Sequence, residues 1–166
     1  MKLKIPYFDN MEIEFDDDDY DPADQRAAAA LNTFLTLTSD DRLKDSRHVY
    51  AYYQDFRETV GGEDWMDEEM GVPEKPEDIW SFVHPNVLGI WPGYDDDANH
   101  YVFLEAECGW EEEHGLLLVW RNGAMLNKAG SFDGHATNAN AFADDSLRDI
   151  VYKASNPDYT TRAPES

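Results

Sequence analysis

Cysteine is nearly absent from this sequence. Cys108 stands alone in 166 residues, which excludes an internal disulfide framework and a multi-cysteine zinc site. Long apolar runs are missing as well. No stretch approaches the roughly 18 consecutive apolar residues a membrane helix needs. Met1–Asp9 carries two lysines but no apolar run or cleavage site, so no leader peptide is expected and a reducing cytoplasm is the simplest compartment. Basic residues are scarce: 13 Lys plus Arg stand against 36 Asp plus Glu, a formal charge of -23. A chain this negative is repelled by nucleic acid and anionic membranes, and is matched to a basic partner or to high salt. There is no phosphate loop, no dinucleotide fingerprint and no H-E-x-x-H, so no cofactor is expected.

Aromatics are plentiful at 13% and apolar residues reach 42%, which separates the chain from a disordered acidic tail. The length suits one domain, assigned to residues 1–155, with 156–166 expected to fray. The negative charge is uneven. Residues 25–60 are neutral, with five acids and five bases, whereas 61–80 carry a net -7 and 81–114 a net -8. A halophilic coat would spread acid over every surface, so this distribution favours localised patches over uniform solubilisation.

Alternation in Lys2–Tyr7 and Met11–Phe15 around Asp9-Asn10 predicts an N-terminal β-hairpin. Asp21, ahead of Pro22, is the expected cap of a helix reaching Leu37; Ser39 caps a second helix that ends at Gly61-Gly62. Residues 63–86 are rich in acid and proline and predict a loop with short turns, with Trp65, Trp80 and Phe82 docking it on the core. Strands are expected over Val87–Trp91, Tyr101–Cys108, Gly115–Arg121 and Met125–Ala129, the last two joined by Asn122-Gly123, and a short helix over Leu147–Tyr152. The order predicts an α+β fold: a mostly antiparallel sheet, from the hairpin and a meander, with two helices on one face.

Chemistry-bearing residues concentrate in Trp110, Glu113, His114 and Gly115 and again in Asp133, Gly134 and His135. A meander puts both connections at one end of the sheet, which would let Glu113, His114, Asp133 and His135 converge. Imidazoles plus carboxylates suit zinc or iron, and a Glu–His pair suits proton transfer. No nucleophile stands beside them, however, and Cys108 reads as core. The structural reading is stronger: Glu113 and His114 hydrogen-bond backbone at a tight turn while Trp110 covers the sheet end. No metal ligand and no catalytic residue is therefore assigned. Asp16–Asp19 and Asp95–Asp97 lack the glycine and terminal glutamate of a calcium loop.

The runs W-x-x-E-H-G-L at Trp110–Leu116 and G-x-F-D-G-H ending at His135, together with Ile5–Phe8 and Glu12–Phe15, resemble a group of small bacterial domains of unknown function. Such domains are related to immunity proteins of polymorphic-toxin systems. The resemblance covers residues 1–20 and 86–150 and brings no catalytic residues with it. It implies a non-enzymatic, acidic immunity-type protein that neutralises a basic toxin. Electrostatic steering and aromatic anchors would carry the binding. The expected contact residues are Trp65, Glu68, Glu69, Trp91, Tyr94, Asp95, Asp96, Asp97, Glu111 and Glu112. The alternatives are a small metal-binding or hydrolytic enzyme built on the Glu113/His114/Asp133/His135 cluster, and a general interaction module.

Overall fold

A computed structural model describes residues 1–164. Its main sheet has six strands in sequence order: β1 (Lys2–Ile5), β2 (Met11–Asp16), β3 (Val83–Pro92), β4 (His100–Cys108), β5 (Glu111–Arg121) and β6 (Met125–Gly130). All neighbours are antiparallel except β2 and β3, which run parallel because the helical segment crosses over between them. The α+β architecture expected from the sequence is thus present. The hairpin turns on Asp9 and Asn10, both left-handed at φ 56° and 64°, a conformation their short polar side chains tolerate.

Helix α1 (Gln25–Phe34) begins later than expected. Asp24 is the cap, accepting the amides of Arg26 and Ala27, while Asp21 closes the preceding turn through the Ala23 amide. Helix α2 (Ser39–Thr59) is capped by Thr38 rather than Ser39, in a reciprocal box with Asp41. The sheet face that carries Leu88, Ile90, Val102, Leu104, Leu116, Leu118 and Trp120 forms one core with Phe34, Val49 and Tyr52 of the helices. Alternation along β4 and β5 sends Tyr101, Phe103, Leu117 and Val119 to the other face, where Trp91, Phe132 and Ala136 pack on them.

Three expectations fail. Trp65 does not dock; it is 66% exposed, while Trp80 and Phe82 pack against the core as foreseen. Residues 150–152 form a strand, β7 (Ile150–Tyr152), rather than a helix, because β8 (Thr161–Arg162) pairs with it. For the same reason residues 156–164 are tied down: Tyr159 and Ala163 pack on the core, and the Thr161 hydroxyl lies 2.7 Å from the buried His48 ring. Residues 165–166 of the expected frayed tail lie outside the described residues. Among the described residues no helix is long and apolar enough to cross a membrane.

Candidate functional site

The link from β4 to β5 is tighter than the sequence implies. Cys108 pairs with Glu111, so Gly109-Trp110 alone makes the turn, and Glu111–His114 belong to β5 instead of a loop. The next paired residues are Ala106 and Leu116, leaving four residues of β5, Glu112 to Gly115, opposite the single Glu107. Such a bulge breaks the strict alternation of side chains. Gly115 makes it feasible: its φ is +71°, and a Cβ there would lie 2.5 Å from the Ala106 carbonyl oxygen. The Gly115 carbonyl in turn accepts the Tyr52 hydroxyl at 3.0 Å.

The acceptor within this bulge is Glu111, not Glu113 or His114. Its carboxylate takes the amides of Glu113 and His114, each at 2.8 Å, and lies 3.4 Å from the His114 Nδ1. At 8% exposure, with its carboxylate oriented by those amides, Glu111 offers little surface for contact with a protein partner. Glu112, Glu113 and His114 keep exposed side chains. Trp110 is buried edge-on against Tyr52 and Tyr53, with centroids 5.4 and 6.0 Å away, and so closes the sheet end. Burial pushes the neighbouring Cys108 thiol up to about 12, which leaves it protonated and inert.

The second motif encloses a lysine. Lys128 on β6 is 2% exposed, and its ammonium donates to the Asp133 carboxylate and to the His135 carbonyl, at 2.9 Å for the latter. Asp133 also accepts the His135 amide at 3.0 Å, across Gly134 at φ +77°. Burial pulls the Lys128 pKa down while Asp133 opposes it. Sequence reading missed Lys128, because one lysine beside apolar residues reads as the wet side of an edge strand; the acid five residues on was its only signal.

These elements meet at a cleft of about 370 Å³, lined among others by Tyr52, Glu113, His114, Lys128, Asp133 and Tyr152. Three of the four residues expected to converge therefore do so. His135 does not: its ring turns to Asn140, 3.2 Å away, and lines a different concavity. Glu111, Glu113 and His114 each offer a ligand atom, all within 4.8 Å of one another. The exposed Asp16, Asp17 and Asp18 make a similar group.

That second concavity, about 1060 Å³, is an acidic groove lined by Tyr94, Asp95, Asp96, Asp97, His135 and Asp145, with Arg148 on its wall. Tyr94 is 72% exposed. Asp97 is the fixed member. Burial works against its charge, but hydrogen bonds from Tyr101 and Asn99 hold its carboxyl below the usual range. Burial and Asp97 together push the Tyr101 hydroxyl up to about 12. Asp145 and Arg148 were not foreseen, since nothing local ties residues 137–148 to the loop at 94–97. Trp91, by contrast, is no free anchor: it stacks on Phe103 at 4.0 Å.

Trp65, Glu68 and Glu69 are exposed around the short helix α3 (Asp67–Met70), whose end touches Gly109. Gly109 and the 93–99 loop flank opposite ends of the nine-residue β4. At about 3.4 Å per residue those ends stand roughly 27 Å apart. The expected contact residues thus divide between two acidic surfaces.

The profile described as Domain of unknown function (DUF6985) matches residues 1–136. No curated protein and no solved structure matches the chain.

Proposed function

The chain belongs to the DUF6985 family, and from that premise we propose that it is a bacterial, cytoplasmic protein-binding module of the immunity type, which blocks a basic toxin. One observation carries this reading: four of the expected contact residues, Tyr94, Asp95, Asp96 and Asp97, line the same concave surface of about 1060 Å³, and it is acidic. A groove focuses the field of its carboxylates, so a cationic partner is drawn in faster than diffusion alone would allow, by roughly 10 to 10³-fold at low salt. Tyr94 projects a flat amphipathic ring beside those charges, the kind of side chain that anchors interfaces. Trp65 with Glu68 and Glu69 gives the partner a second acidic surface with an aromatic on it. The role is binding, not turnover, and no residue is given a catalytic part.

The test is co-expression with the product of the adjacent gene. Protection from a toxic product by the wild-type chain, lost on combining Tyr94→Ala with Asp96→Lys, supports the reading. A product harmless by itself, or equally lethal with this protein present, removes it.

A further inference from the structure

We propose that Glu111, Glu113 and His114 bind a first-row divalent metal ion of the zinc class at the mouth of the 370 Å³ cleft. In a regular strand Glu113 and His114 would point to opposite faces. The four-against-one bulge cancels that alternation, and two carboxylates and an imidazole end within 4.8 Å of one another. Ligand atoms around zinc sit about 2.0–2.2 Å from the ion, hence closer together than this. The remaining approach needs only side-chain rotation by Glu113 and His114, which are exposed. Glu111 is already oriented by the amides of Glu113 and His114, as a ligating carboxylate is by its outer shell.

Charge supports the same assignment. No lysine or arginine forms an ion pair with Glu111 or Glu113 among the described residues, and the His114 Nδ1 lies 3.4 Å from the Glu111 carboxylate. Lys128, the nearest buried cation in the cleft, is engaged by Asp133. The cleft is an observation separate from the ligand cluster. All three residues line it, and three protein ligands leave a coordination position for water or a small ligand within it. An imidazole with carboxylates favours zinc over magnesium or calcium, which prefer oxygen alone. Asp133 and His135 fall outside the set, the first held by Lys128 and the second facing the acidic groove. The site is distinct from that groove and stands or falls without the toxin reading.

Isothermal titration of the metal-free, full-length protein with zinc chloride is the experiment. One chelator-reversible zinc per chain is expected, with affinity reduced at least about 10-fold by His114→Ala and by Glu113→Gln. His135→Ala and Glu68→Gln should bind as the wild type does, and millimolar magnesium should not displace the ion. Both ligand variants alter exposed side chains, so retained melting temperatures without metal will show that they fold. No saturable zinc binding, binding unchanged in His114→Ala and Glu113→Gln, or equal loss in His135→Ala would each overturn the assignment.

Discussion

The Tyr152 hydroxyl donates to the Asp55 carboxylate at 2.5 Å, joining β7 to the C-terminal part of α2 across 97 residues of chain. The same carboxylate accepts the amides of Ser155 and Asn156, at 2.8 and 2.9 Å. Asp55 is buried. One acid thus gathers three donors of the C-terminal segment, of which the Tyr152 hydroxyl is buried, Asn156 is half-buried and Ser155 is exposed.

Asp55→Ala is therefore expected to cost about 2 kcal/mol, chiefly from the buried Tyr152 hydroxyl left without its acceptor, with a smaller share from the two amides that water can reach. Urea denaturation measures the loss. Hydrogen exchange should localise it: the amides of Tyr152, Ser155 and Asn156 lose protection while those of β4 and β5 keep theirs. A loss below about 1 kcal/mol would mean that the packing of Tyr152 and Tyr159, not Asp55, secures the segment.

Gly123 supplies a second prediction. It holds φ +71° in the turn between β5 and β6, and a Cβ there would lie 1.9 Å from the Ala30 carbonyl oxygen of α1. Gly134 has φ +77° but nothing within 4 Å of the same position. Gly134→Ala should cost only the backbone strain, about 1 kcal/mol, whereas Gly123→Ala must also push α1 off the sheet and should cost about 3 kcal/mol or more. Thermal melts of the two variants side by side decide this; equal losses would deny the turn–helix contact its role.

Much of this architecture was legible because it is local. Alternation wrote out the hairpin and the meander, and the meander placed Glu113, His114 and Asp133 at one cleft. Long-range pairing was not legible. Ile150–Tyr152 became a strand only because Thr161–Arg162 returns beside it, and Trp65 stays largely exposed although its size and apolar character suited the core. The bulge that turns Glu113 and His114 to the same side left a single mark in the sequence, the glycine after His114, and a glycine there fits an ordinary strand start equally well.

Asp45 gives a pH prediction. Burial pushes its carboxyl up to about 6, Asp41 adds to the rise, and the Tyr7 hydroxyl, at 2.9 Å, works against it. The folded pKa thus lies above the unfolded value near 3.8. The folded state keeps a proton that the unfolded state releases, so ionised Asp45 destabilises the fold above pH 6 or so, and that cost is relieved as the pH falls from about 6 toward about 4. Asp45→Asn keeps an acceptor for Tyr7 and removes the charge. It should stabilise the protein by about 1 kcal/mol near pH 7.5 and by much less near pH 4.5. Melting curves at both pH values check it; a gain that is the same at both would show that charge is not the cause.

The acidic groove makes its prediction through kinetics. Asp95 and Asp96 are exposed, whereas Asp97 is tied to Tyr101 and Asn99. Mobile rim charges act mainly on encounter, while a fixed, partly buried charge acts on the bound state. Against a basic partner, Asp95→Lys and Asp96→Lys should slow association about 10-fold at low salt and converge on the wild-type rate as ionic strength approaches 1 M, where the screening length falls to about 3 Å. Asp97→Asn should instead speed dissociation and keep most of that effect at high salt, because it loosens the loop that carries Tyr94. Surface plasmon resonance over a salt series separates the two. If all three variants alter only the dissociation rate, the groove is a contact surface without a steering role.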